Sequence, residues 1–168
     1  YAEVQQYAIT DELTDIYNRR GLFELGRREV ERAHRYGRSL SAVMIDTDKF
    51  KEINDNYSHA VGDHVLRALA DRWKASIREV DILGRYGGDE FVILLPETDL
   101  DNAMQVADRL RVAICGKPIE TPVADLPLTV SVGVATLTES IKTFDELIEK
   151  ADAAMFRAKS EGRNKTYK

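Results

Sequence analysis

Residues 85–96 read Arg85-Tyr86-Gly87-Gly88-Asp89-Glu90-Phe91-Val92-Ile93-Leu94-Leu95-Pro96. Two glycines, free of a Cβ, can take φ > 0 and so suit a tight turn between two strands. Two acids follow at once, then an unbroken apolar run of strand length that stops at a proline. A strand apolar on both faces must be covered on both faces. The stretch therefore predicts two carboxylates at a glycine turn, held rigid by a buried strand. Such acids either keep the turn solvated or do chemistry, and the stretch alone leaves both readings open.

Upstream, residues 39–45 predict a first, mostly buried strand. It runs into Asp46-Thr47-Asp48-Lys49-Phe50-Lys51-Glu52-Ile53-Asn54-Asp55. Two acids at a strand end fit either a helix cap or a metal site. A helix with one buried face is expected from Leu22, Leu25, Glu29 or Val30, and Ala33, with a cap at Asn18 and an end near Gly37. Leu66, Leu69, Ala70, Trp73 and Ile77 predict a second helix starting at Asp63 and stopping at Arg78-Glu79-Val80-Asp81. A strand begins at Ile82, and a helix starts near Thr98-Asp99 with Ala103, Ala107, Leu110 and Ile114 inward. Residues 116–127 contain three of the four prolines and read as an irregular connection. Residues 128–134 alternate as a strand, and Thr143 with Glu146 forms a capping box that opens a last helix ending at Gly162.

The order is βαββαβ with flanking helices, an α/β (α+β) ferredoxin-like split arrangement; it is palm-like and resembles the nucleotide-cyclase type, though the order alone names no function. In that arrangement the first strand lies beside the hairpin, so Asp46 and Asp89 face each other across a few ångströms. Carboxylates so placed repel unless a cation lies between them, and Mg²⁺ suits such oxygen ligands together with substrate phosphates.

Composition narrows the partners. The chain has 168 residues, enough for one domain with a sizeable core, and a net charge of −5. An acidic chain is not a non-specific nucleic-acid binder, so any phosphate site is a local cluster of bases. Cys115 is the sole cysteine, which excludes an internal disulfide and favours a reducing, cytoplasmic setting. No apolar run approaches a membrane span. His34, His59, His64 and Cys115 form no convincing ligand cluster, so no zinc site is expected. The chain opens on Tyr1 rather than Met, so it is expected to be a piece of a longer protein, with residues 1–12 a linker helix and residues 13–168 the domain.

Gly87-Gly88-Asp89-Glu90-Phe91 is also the signature string of the GGDEF family, the diguanylate cyclases. Four further stretches resemble that family in the right order. Leu13-Thr14-Asp15-Ile16-Tyr17-Asn18-Arg19-Arg20 is similar to its entry turn, with Asp15 where a glycine is usual. Asp46 to Asp55 matches the D-x-D-x-F-K-x-I-N-D form at every named position. His59 to Asp63 resembles G-H-x-x-G-D, with Ser58 in place of the first glycine. Ala158-Lys159-Ser160-Glu161-Gly162-Arg163-Asn164 closes the series.

The resemblance implies the following roles. Asp46, the Thr47 carbonyl, Asp89 and Glu90 serve the metal, Mg²⁺, two per half-site, or Mn²⁺ in its place. Glu90 and Asp89 are catalytic, Glu90 as a metal ligand or as activator of the ribose 3′-hydroxyl. Asn54 and Asp63 read guanine. Lys51, Lys159 and Arg163 hold the β- and γ-phosphates, and Phe50 and Gly88 complete the substrate set. A cation at a helix C-terminus also complements the helix dipole, so Lys159 and Arg163 fit both readings. Arg78 and Asp81 match an R-x-x-D inhibitory site for the product, cyclic di-GMP. The implied activity condenses two GTP into cyclic di-GMP in a two-fold homodimer fed by a missing N-terminal sensor domain. The alternative is a catalytically silent GTP- or cyclic di-GMP-binding signalling module.

Overall fold

The computed structural model describes residues 8–168. The order is α1 (Arg19–Tyr36), β1 (Leu40–Thr47), α2 (Phe50–Asn56), α3 (His59–Ser76), β2 (Ile82–Arg85), β3 (Glu90–Pro96), α4 (Leu100–Cys115), β4 (Ile119–Glu120), β5 (Asp125–Leu126), β6 (Val130–Thr136), α5 (Phe144–Ser160) and β7 (Thr166–Tyr167). Strand β1 is central, pairing antiparallel with β3 on one side and β6 on the other. β2 pairs antiparallel with β3, and the sheet order is β2-β3-β1-β6-β7. The first four strands in that order are the split βαββαβ arrangement expected. The parallel edge strand β7 is an addition that two residues could not announce.

The sheet is covered on both faces, as the run after Glu90 demands: Phe91, Val92, Ile93, Leu94 and Leu95 are all buried. On one face Ile45, Phe91 and Ile93 pack under α3 and α4, where Trp73 meets Phe91 edge-on at 5.0 Å. The Trp73 indole N–H donates to the Leu110 carbonyl, which joins α3 to α4 (3.1 Å). On the other face Met44, Val92 and Leu94 pack under Leu22 of α1 and Leu147, Ala151 and Met155 of α5.

Helix ends follow their caps. Asn18, Asp99 and Thr143 each accept an amide of the first turn, and Gly37 closes α1 in the left-handed conformation (φ 61°). α3 starts a turn earlier than Asp63, because the Ser58 hydroxyl accepts the Val61 N–H. The stretch 116–127 is not wholly irregular: β4 and β5 form a small hairpin. Its turn is held by Thr121, whose hydroxyl donates to the Ala124 carbonyl (2.6 Å).

Of the helix expected over residues 1–12, residues 1–7 lie outside the described residues. Residues 8–13 are turns and a bridge, Thr10 pairing with Tyr17. The Asp11 carboxylate accepts the Thr14 hydroxyl and amide, a local pairing that favours a turn over a helix. Among the described residues no helix is long and apolar enough to cross a membrane.

Candidate active site

Strand register builds the site. Asp46 at the end of β1 lies directly opposite Glu90 at the start of β3. Opposed antiparallel residues project to the same face. Both therefore share the α1/α5 face with Met44 and Val92. Asp89 is the last turn residue. Its carbonyl accepts the Thr47 N–H (3.3 Å) and hydroxyl (3.4 Å), and its carboxylate lies near enough to Asp46 to shift its pKa.

The turn differs from the expectation. Neither Gly87 nor Gly88 has positive φ. Residues 86–89 make a loop in which the Tyr86 and Gly87 N–H groups both donate to the Glu90 carbonyl (2.8 and 3.2 Å). The Arg85 guanidinium donates to the Gly88 carbonyl (2.7 and 3.0 Å). Gly87 instead leaves room for the Glu90 side chain: a Cβ there would come within 2.7 Å of Glu90 Oε1, whose flexible end would have to move. On the outer side Arg19 stacks over Tyr86 at 4.2 Å from its ring centre, and Phe23 lies parallel to Tyr86.

Helix α5 brings the opposite charge. It lies so close on β6 that a Cβ at Gly133 would overlap the Ala151 carbonyl and the Met155 amide. That seat puts Lys159 Nζ 3.0 Å from Asp46 Oδ2 and 3.6 Å from Asp48 Oδ1. Asp46 Oδ1 is buried with no hydrogen-bond partner. Burial and the Asp89 carboxylate push Asp46 from the usual 3.8 up to about 6, against the pull of Lys159. Burial, then Asp46 and Asp152, also raise Glu90, against Arg19 and Lys159.

Asp152 was not foreseen. It stands two helical turns before Lys159 on α5 and is itself raised by burial and by Asp46. The signal available was that spacing, which aligns both charges on one side of the helix.

Asp48, the second acid of the strand end, has a different job. Its carboxylate accepts the Thr129 and Ser131 hydroxyls (2.7 Å each) and the Asn164 N–H (3.1 Å). It thereby ties β1 to β6 and to the chain after α5.

A buried carboxylate oxygen without a donor, flanked by further carboxylates, is an arrangement that a hard divalent cation satisfies. Among the described residues, no three such side chains already converge as a ready metal-binding group.

The remaining predicted residues fall into separate groups. Gly62 on α3, the residue before Asp63, packs tightly on α2: a Cβ there would overlap the Asn54 side chain and come within 3.2 Å of the Phe50 ring. Asp63 is exposed there and Asn54 half-buried. Lys51 is exposed on α2. Arg163, in the left-handed conformation (φ 62°), lines a cleft of about 570 Å³ with Asp48 and Lys49. A larger cavity of about 670 Å³, between Gly37 and Lys142, holds none of these residues.

Arg78 and Asp81 lie elsewhere. The Arg78 guanidinium forks onto Asp81 (2.7 Å to Oδ1) and also donates to the Pro96 carbonyl (3.0 Å) and the Thr98 hydroxyl (3.2 Å). Pro96 ends the strand that Glu90 begins, so the two sites are about 20 Å apart along β3.

Comparison with known proteins places this geometry. Residues 8–165 match the family described as "Diguanylate cyclase, GGDEF domain". The chain is 40% identical over 161 residues to the diguanylate cyclase DgcP of Pseudomonas aeruginosa, covering 96% of this chain and 24% of that protein. It is 38% identical over 161 residues to the response regulator PleD of Caulobacter vibrioides, covering 95% of this chain and 36% of PleD. The chain thus spans only a quarter to a third of the length of these relatives. Among solved structures, the coiled coil and GGDEF domain of DgcB from Caulobacter crescentus in complex with c-di-GMP superposes with a TM-score of 0.93 at 27% identity. That match covers 99% of this chain and 88% of the DgcB chain.

Proposed function

The chain belongs to the GGDEF family of diguanylate cyclase domains, and from that premise we propose that it condenses two GTP into cyclic di-GMP with release of two pyrophosphates. What carries this reading is the placing of Asp46 opposite Glu90 across β1 and β3, beside the turn residue Asp89, with a buried Asp46 oxygen left unpartnered.

Each domain binds one GTP. Asp63 accepts both N–H donors of the guanine Watson–Crick edge, and Asn54 reads beside it. Adenine lacks the ring N–H and would leave a carboxylate oxygen unpaired. Phe50 backs Asn54, Gly88 lets the turn approach the nucleotide, and Lys51, Lys159 and Arg163 hold the β- and γ-phosphates. Asp46, Asp89 and the Thr47 carbonyl would hold Mg²⁺, two per half-site, or Mn²⁺, which when bound stabilises the entering and leaving oxygens at phosphorus.

Glu90 faces the ribose 3′-hydroxyl and takes its proton. Its raised pKa makes it a stronger acceptor than an ordinary carboxylate. The 3′-oxygen forms a bond to the α-phosphorus of the other nucleotide, the bond to the β-phosphate bridge breaks, and pyrophosphate leaves. A second, symmetric attack closes the ring. One domain supplies half a site, so two copies face each other across a two-fold axis. The substrate is the cytoplasmic GTP pool.

The test is pyrophosphate release and cyclic product formation from GTP with Mg²⁺. Wild type should turn over, and Glu90→Gln should lose at least about 100-fold in kcat while still binding GTP. Wild-type protein that binds GTP without turnover would overturn the reading in favour of a silent GTP- or cyclic di-GMP-binding signalling module.

A further inference from the structure

We propose that Lys159 is a resident counter-ion that must vacate Asp46 before a divalent cation can bind there, so that the triphosphate, by drawing Lys159 away, opens the metal site. The proposal rests on the reading of Asp46 as a metal ligand.

The two aspartates that Lys159 touches are not equivalent. Asp48 has its own donors: the Ser131 hydroxyl on Oδ1, and the Thr129 hydroxyl and Asn164 N–H on Oδ2. It stays satisfied if the ammonium leaves. Asp46 has Lys159 on Oδ2 at 3.0 Å and nothing on the buried Oδ1. Its nearest other neighbour in charge is Asp89, which repels it. The ammonium therefore does for Asp46 what a cation would do.

A divalent ion on the same carboxylate would meet that ammonium a few ångströms away. In a partly exposed site this repulsion weakens metal binding about tenfold. Lys159 can move, because a flexible four-carbon stem carries its charge and its side chain is 23% exposed. The cleft containing Arg163 adjoins Asp48, the second aspartate that Lys159 touches. A triphosphate bound on that side offers the ammonium a more highly charged partner than Asp46. Metal and nucleotide then bind with a coupling written into this side chain, over and above their chelation of each other.

The experiment is a Mn²⁺ titration of the nucleotide-free protein at neutral pH, read by the electron paramagnetic resonance signal of free Mn²⁺. Lys159→Met keeps the stem and removes the charge; Lys159→Arg keeps the charge. Lys159→Met should tighten Mn²⁺ binding about tenfold while Lys159→Arg leaves it as weak as wild type. With a non-hydrolysable GTP analogue present, the advantage of Lys159→Met should vanish. If Lys159→Met binds Mn²⁺ alone no better than wild type, the proposal fails. An Asp46→Asn arm separates this from the underlying reading. If Asp46→Asn leaves Mn²⁺ binding in the presence of the analogue unchanged, Asp46 is not a metal ligand and the premise itself fails.

Discussion

Single residues carry the largest conflicts of charge. Asp46 is the clearest, because folding buries it beside Asp89 and compensates it with one ammonium. Its folded pKa, about 6, lies above the 3.8 of an ordinary aspartate, so folding favours its protonated form. The stability this contributes is whole below about pH 4 and is lost as pH rises through about 6. Glu90 and Asp152 shift in the same direction. Cation-free protein should therefore lose stability over that range. Asp46→Asn should flatten the profile and gain on the order of 2 kcal/mol at pH 8. Urea unfolding at pH 4 and pH 8 in EDTA reads this directly, and a wild-type-like slope in Asp46→Asn would contradict it. The two departures from the family's glycines also resolve at this scale. Asp15 adopts φ 60°, a left-handed conformation that aspartate tolerates, whereas Ser58 is fully extended and gains a cap.

At the scale of elements, the decisive packing is α5 on β6. Gly133 permits the approach, and the approach sets where Lys159 and Asp152 stand relative to Asp46. Gly133→Ala must push the helix backbone outward, which costs about 2–3 kcal/mol by overpacking. The same shift withdraws Lys159 from the strand end. The expected outcome is a lowered denaturation midpoint together with weaker GTP binding, measured by calorimetry on the folded fraction. A parallel case is Gly62, whose missing Cβ lets α3 pack directly against Asn54 and Phe50 of α2.

At the scale of the whole molecule, the carboxylates stand at one end of β3 and the Arg78–Asp81 fork at the other, so the two proposed functions are separated by the length of that strand. Binding at the far end cannot block substrate by overlap, so inhibition by cyclic di-GMP through that fork is expected to be noncompetitive. Arg78 is held by Asp81, Pro96 and Thr98, and a ligand phosphate must replace those acceptors. Arg78→Ala should raise the inhibition constant for added cyclic di-GMP at least about tenfold with kcat nearly unchanged. An unchanged inhibition constant would remove the fork from the account. On the proposal that one domain supplies half a site, specific activity should rise with protein concentration until the dimer saturates. Activity per molecule that is flat down to nanomolar protein would show that a lone domain suffices.

Much of this was legible without coordinates, because periodicity, caps and the buried run are local properties. The apolar string after Glu90 required a buried strand, Asn18 and Thr143 capped their helices as read, and Asp99 proved to be the cap of the helix expected to start near Thr98-Asp99. The carboxylate pair was legible because strand ends next to a hairpin must meet. Tertiary structure alone decided the rest. Whether the two glycines needed positive φ depended on loop length and on the room that Glu90 required. That Asp48 would turn to Thr129, Ser131 and Asn164 while Asp46 kept a bare oxygen depended on hydroxyls more than eighty residues away in sequence. Asp152 entered the site only because a glycine on another strand let its helix settle so low. Hydrogen bonding and turn propensity act between neighbours in the chain, whereas burial and Coulomb interactions act between neighbours in space, and only folding makes the second kind known.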